Sequence, residues 1–204
     1  MGFGISRELL LLISIPLWFI IRFLYNQTPS GRKNKPSAGR ELLIHLFFLY
    51  LICVFAVTLF PFFMYWENGK LVENEVSINV IPIFLTYSKI AYILRNTNLE
   101  GYAYMILFWI KNIGGNGILL LPMGFMLPVL WKPFGRFGKN VLFCFSFSLG
   151  IETVQLLTGF LGNRGRAFDV DDIIMNTIGA ILGYILFIGY RRHFFQIRKN
   201  RPAN

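Results

Sequence analysis

The sequence predicts an all-α polytopic membrane protein: a bundle of about five transmembrane helices, N-terminus outside and C-terminus cytoplasmic. Three observations carry this. Of 204 residues, 55% are hydrophobic and only 15% charged, against about 25% charged in ordinary soluble domains. Twenty-two Phe and nine Tyr supply aromatic bulk suited to lipid contact and to the bilayer interface. Apolar runs near the roughly 20 residues that a spanning helix needs alternate with charged connections. The length suits one membrane domain over 1–204, with no separate soluble domain.

The first expected span covers 9–25, interrupted by Arg22 near its end, where a long side chain can snorkel to the interface. Most flanking positive charge follows this run and no small-x-small site closes it, so it reads as a retained span and not as a cleaved signal peptide. Segment 30–39 is a polar loop with Pro, Gly and Lys. The second span covers 42–66. The connection 67–101 begins acidic and turn-like at Asn68-Gly69. Its second part, 78–95, is apolar but too short and interrupted to span, so it is expected to lie on the outer leaflet or dip back against the bundle. An interfacial helix is expected over 102–112. A third span follows over 116–131, kinked by Pro122 and Pro128. The fourth and fifth spans cover 140–160 and 172–190.

Orientation follows from the positive-inside rule. Arg32, Lys33, Lys35 and Arg40 follow span one, and Lys132, Arg136 and Lys139 follow span three. Arg191, Arg192, Arg198, Lys199 and Arg201 follow span five. The opposite connections carry Glu67, Glu73, Glu75, Glu100, Asp169, Asp171 and Asp172. The formal charge of +10 therefore reflects topology, and no folded basic module for nucleic acid is present. Cys53 and Cys144 fall inside apolar runs and read as buried or lipid-facing thiols. His45 and His193, near helix ends, receive no role.

Charged groups inside spans are costly and therefore informative. Glu152, with Gln155 three residues on, lies about 18 Å from Asn140 at the cytoplasmic edge, at about 1.5 Å per residue, which is the outer half of the membrane. The short loop beyond carries Arg164, Arg166, Asp169, Asp171 and Asp172. Asp171 or Asp172 is placed to cap span five, and Asn176 lies one turn below. With Asn116 at the outer start of span three, these residues predict a polar pocket opening outward. A bland alternative stays open, in which Glu152 pairs with Arg164 or Arg166 and bonds Asn176 only to hold helices together. Asp169-Val170-Asp171 is too short a pattern to assign a metal, and no cofactor is implied. Gly179 and Gly183 form a GxxxG pair that favours close helix packing, within the monomer or in a homodimer. No Walker loop, zinc motif, Ser/His/Asp set or nucleophilic-Cys context is present, so the reading leans away from an enzyme.

Taken in order, these motifs resemble the VanZ-like family. Asn116 precedes Leu121-Pro122-Met123-Gly124-Phe125, and Ser148, Glu152 and Gln155 match a Ser-x-x-x-Glu-x-x-Gln helix. Gly165, Arg166, Asp169, Asp171 and Asp172 then run into Asn176, Thr177 and Gly179, and Asn79-Val80-Ile81-Pro82 matches an outer-loop Asn-x-x-Pro. The resemblance covers about 42–190. It implies a multi-pass protein of the bacterial cell membrane, tied to reduced susceptibility to teicoplanin, a lipid-tailed glycopeptide. Family alone does not fix chemistry. Three functions are expected in turn: non-enzymatic masking or binding of a lipid headgroup or lipoglycopeptide, catalysis on a lipid-linked envelope precursor, and transport of a small molecule or lipid. Besides those ligands, the expected partners are the lipid bilayer and, through the glycines, a second copy.

Overall fold

The apolar runs fold as helices, and the polar joints decide where each one stops. The computed structural model describes residues 2–67, 70–71, 76–82, 107, 114–163 and 167–199. In chain order these form β1 (Gly2–Ile5), α1 (Arg7–Gln27), α2 (Pro29–Lys33), α3 (Ala38–Thr58), β2 (Phe62–Glu67), β3 (Lys70–Leu71) and β4 (Ser77–Asn79). Then come α4 (Gly115–Leu119), α5 (Leu121–Leu130), a 3-10 turn (Lys132–Gly135), α6 (Phe137–Phe160), β5 (Ala167–Asp169) and α7 (Val170–Lys199). Among the described residues four helices are long and apolar enough to cross a membrane: Arg7–Gln27, Ala38–Thr58, Phe137–Phe160 and Val170–His193. This is an all-α membrane helix protein. The interfacial helix expected over 102–112 and most of the apolar segment 78–95 lie outside the described residues.

Two compact units divide the chain. The first comprises Met1–Ser77 with Thr153–Phe168, the second Ile78–Glu152 with Asp169–Asn204.

In the first unit α1 and α3 run antiparallel. Ser6 caps α1, its Oγ accepting from Leu9 N at 3.2 Å. The start of α1 is tied to the end of α3 by β1 and β2, which pair antiparallel with Ile5 opposite Phe62 and Gly2 opposite Tyr65. Arg7 Nε also donates to the Phe60 carbonyl at 2.7 Å. The second span expected over 42–66 is therefore overrun. Its helix begins at Ala38 and ends at Thr58, because Pro61 has no N–H to continue the ladder and the aromatic run Phe62–Glu67 suits a strand. β2 then turns into β3 with Glu67 opposite Lys70. The C-terminal part of α6 closes by a two-bond cap: Asn163 N donates to Thr158 O and Gly162 N to Gly159 O, both at 3.0 Å. Gly162 sits at φ 89°, the left-handed position that this cap requires.

In the second unit α4 and α5 lie parallel to α7, since Asn116 bonds Asp172 and Phe125 meets Tyr190 further along. Backbones touch along this seam. A Cβ added at Gly179 would come 2.0 Å from the Gly117 carbonyl, one at Gly183 2.0 Å from that of Leu121, and one at Gly124 2.0 Å from that of Ala180. The third span expected over 116–131 is the apolar stretch Gly115–Leu130, which is shorter than the four candidate spans and not one of them. It breaks at Leu120 because Pro122 cannot return a hydrogen bond to the preceding turn. The N-terminal part of α6 runs antiparallel to α7. Asn140 Nδ2 donates to Gly124 O at 3.2 Å, and Tyr184 Oη donates to Gly135 O at 2.6 Å.

Candidate functional site

The second unit concentrates its polar side chains at the end where α7 begins. Asp169, the last residue of β5, is the cap of α7: its Oδ1 accepts from Asp171 N at 3.0 Å. The expected cap was Asp171 or Asp172, but both sit inside the first turn, where they meet the positive end of the helix dipole. Asp169 Oδ1 accepts a second bond, from Asn79 Nδ2, at 2.8 Å. Its backbone N–H donates to Glu152 Oε2 at 2.9 Å. Asp172 Oδ1 accepts from Asn116 Nδ2. Glu152, Asp169, Asn79 and Asp171 are therefore one hydrogen-bonded chain, with Asn116 and Asp172 beside it on the first turn of α7.

One turn deeper lies an amide layer. Ser148 precedes Glu152 by four residues on α6, and Asn176 follows Asp172 by four on α7, so each pair shares a helix face. Asn176 Nδ2 donates to Ser148 Oγ at 2.9 Å. Burial is severe here: Glu152 is 2% exposed, Asn176 1% and Ser148 0%. Asn176 Oδ1 is buried and meets no hydrogen-bond partner among the described residues. Hydrogen bonds to charged groups contribute roughly 1.5–3 kcal/mol net, so the amide–carboxylate pairs hold this end of α7 in place. A carboxylate kept this far from water is expensive, which makes Glu152 a residue held for a purpose other than filling space.

The expected pocket residues thus divide. Asn116, Glu152, Asp169, Asp171, Asp172 and Asn176 lie in the second unit, around the start of α7. Gln155 belongs to the first unit, where its Nε2 donates to the Thr58 carbonyl at 2.8 Å. Arg164 and Arg166 lie outside the described residues. Gly179 and Gly183 press on α4 and α5 within the chain. Among the described residues no group of three or more His, Cys, Asp or Glu is arranged to hold a metal ion. Asn79 and Ser148 were visible only as family motif positions. Their signal in the residues alone was weak, a lone Asn in an apolar strand and a lone Ser in an apolar helix.

A second polar group, which the sequence reading left without a role, sits in the first unit. Arg22 Nε and Nη2 meet Glu41 Oε1 and Oε2 at 2.7 and 2.5 Å, a bidentate pair. Trp18 Nε1 donates to His45 Nδ1 at 3.0 Å, which turns His45 Nε2 toward Glu41 Oε1 at 3.5 Å. Trp18 also stacks on Phe48 at 3.6 Å and Phe19 on His45 at 5.1 Å. The clue was spacing: Trp18 and Arg22, like Glu41 and His45, stand one helical turn apart.

Long apolar helices with a buried acid–amide cluster at one end define the class: a membrane protein with a polar cluster between its helices. The chain belongs to the VanZ family, since the VanZ/LLP1 family model matches residues 47–195. It is similar to Protein VanZ of Enterococcus faecium, 28% identical over 131 residues, covering 64% of this chain and 73% of that protein. No solved structure matches the chain.

Proposed function

We propose that the chain is a multi-pass protein of the bacterial cell membrane that lowers susceptibility to teicoplanin-type lipoglycopeptides without catalysis, by holding a cell-surface ligand in the polar site of its second unit. That ligand is a lipid headgroup, a lipid-linked precursor or the lipoglycopeptide itself. The observation that carries the proposal is Glu152, an acid 2% exposed and fixed by the Asp169 N–H beside three further acids. The side faced is argued from charge. Lys132, Arg136 and Lys139 follow α5, and Arg191 and Arg192 lie far along α7, whereas the acids gather at its start. The positive-inside rule then puts the acid end outside, where a surface-active drug meets its target.

Glu152→Gln tests this. Gln retains an oxygen to accept the Asp169 N–H, so the fold persists while the charge is removed. Cells producing the variant at wild-type membrane levels should lose protection; unchanged protection would remove the site from the effect. A second reading, a membrane enzyme on a lipid-linked envelope substrate, is favoured by the same Glu152 geometry, since a buried carboxylate anchored on a backbone N–H suits a general acid or base. Lipid and cell-wall precursor profiles separate the two. A Glu152-dependent new or missing species supports catalysis, and identical profiles support binding alone.

A further inference from the structure

The charges of the second unit sort by end. Among its described residues the acids are Glu152, Asp169, Asp171 and Asp172, gathered at the start of α7, and every Lys or Arg lies at the other end. Lys132, Arg136 and Lys139 stand around the 3-10 turn and the first turn of α6, and Arg191 and Arg192 far along α7. All five side chains are exposed, and none forms an ion pair with an acid among the described residues.

Aromatic packing fixes the two groups against each other. Tyr184 Oη donates to the Gly135 carbonyl at 2.6 Å, and its ring meets that of Phe137 at 5.4 Å, so Arg136 is held between two residues that touch α7. Phe187 lies 5.7 Å from Tyr184, and Arg191 Cζ lies 5.8 Å from the centre of the Phe187 ring. Tyr184 therefore joins the turn that carries Arg136 to the ring beneath Arg191. Like charges fixed in one region repel each other and draw anions. The border of the patch is apolar, since Phe137, Leu142, Phe143 and Tyr190 are exposed beside the basic residues. Basic and aromatic side chains at the ends of apolar helices meet the headgroup layer of a bilayer, where an anionic lipid supplies the charge and the acyl chain together. A soluble polyanion matches the charge but not the border.

We propose that this end of the second unit is a docking surface for anionic phospholipid headgroups of the cytoplasmic leaflet, which collect on Lys132, Arg136, Lys139, Arg191 and Arg192. The leaflet follows from the positive-inside rule. α7 runs on past His193, where its apolar stretch ends, to Lys199, so the helix adds Arg198 and Lys199 beyond the hydrocarbon. The surface is separate from the acid end, and its failure leaves the functional reading untouched.

The experiment titrates the purified full-length protein in uncharged detergent with short-chain phosphatidylglycerol, with phosphatidylcholine of equal acyl length and with glycerol 3-phosphate, following the thermal midpoint. Phosphatidylglycerol should raise the midpoint, and phosphatidylcholine should need at least about tenfold more for the same rise. Taking the salt from about 0.1 M to about 1 M should remove most of that preference. Arg191→Gln/Arg192→Gln, which alters only exposed side chains, should need about tenfold more phosphatidylglycerol, whereas Arg191→Lys/Arg192→Lys, which keeps the charge, should retain the response. Lys33→Gln/Lys35→Gln, an equal loss of charge in the first unit, should respond as wild type. Phosphatidylcholine matching phosphatidylglycerol, or an unaltered response in Arg191→Gln/Arg192→Gln, overturns the proposal. Glycerol 3-phosphate acting as well as the lipid overturns it in favour of a free phosphate, and an equal weakening in Lys33→Gln/Lys35→Gln in favour of net charge alone.

Discussion

The two units solve the same problem, joining apolar helices, in opposite ways. In the first, α1 and α3 meet through long side chains: an Arg22–Glu41 fork, a Trp18–His45 bond and stacked rings. In the second, α4 and α5 meet α7 through absent side chains, with glycines against carbonyls at Gly179, Gly183 and Gly124. The polar groups differ as well. The cation and the acid of the first unit satisfy each other, and α1 has no buried residue at all. The second unit buries its acid and its amide more deeply, with Glu152 2% and Asn176 1% exposed. A bidentate pair between helices is a fastener, whereas an acid buried this deeply is costly and marks a candidate site.

Substitutions can break that comparison, beginning with the most severe. Gly179→Val puts a branched side chain where even a Cβ would be 2.0 Å from the Gly117 carbonyl. Backbone cannot yield as a side chain does, so the cost should exceed the roughly 1–3 kcal/mol of ordinary overpacking and deplete folded protein on size-exclusion chromatography. Gly189→Val, with nothing within 4 Å, is the control and should elute as wild type. Next comes the fastener. Arg22→Met and Glu41→Gln, singly and together, should give a coupling of about 1–2 kcal/mol in a double-mutant cycle of unfolding, because the two side chains are only 13% and 23% exposed. Additive losses would mean that the fork contributes nothing. The smallest effect is expected at the cap of α6. Gly162→Ala, at φ 89°, should cost about 1 kcal/mol, seen as a small drop in thermal midpoint.

What the sequence disclosed follows the same division. Apolar length announced α1, α6 and the start of α7 to within three residues, since hydrocarbon thickness imposes that length, while α7 runs nine residues past its expected end, to Lys199. It failed at the end of α3, because the aromatic run after Pro61 is as apolar as a span and only backbone pairing with β1 reveals it as a strand. Glu152 was legible because an acid in an apolar helix is conspicuous. Asn176 was legible by its turn spacing from Asp172. Gln155 has the same polarity and nearly the same position as Glu152, yet it bonds Thr58, a partner 97 residues away that no local pattern encodes. The Arg22–Glu41 fork joins two helices across a connection, so nothing in either run specified it. The cap at Asp169 was misplaced by two or three residues because three acids crowd one helix start, and only the turn geometry chooses among them.

The central claim is that protection depends on the acid–amide end of the second unit and not on the ion pair of the first. The most direct measurement is teicoplanin susceptibility of cells carrying Glu152→Gln or the paired Arg22→Met/Glu41→Gln variant, each at the membrane abundance of wild type. The account predicts that Glu152→Gln is as susceptible as cells lacking the protein, while the paired variant protects fully. Protection kept by Glu152→Gln and lost in the paired variant would contradict it.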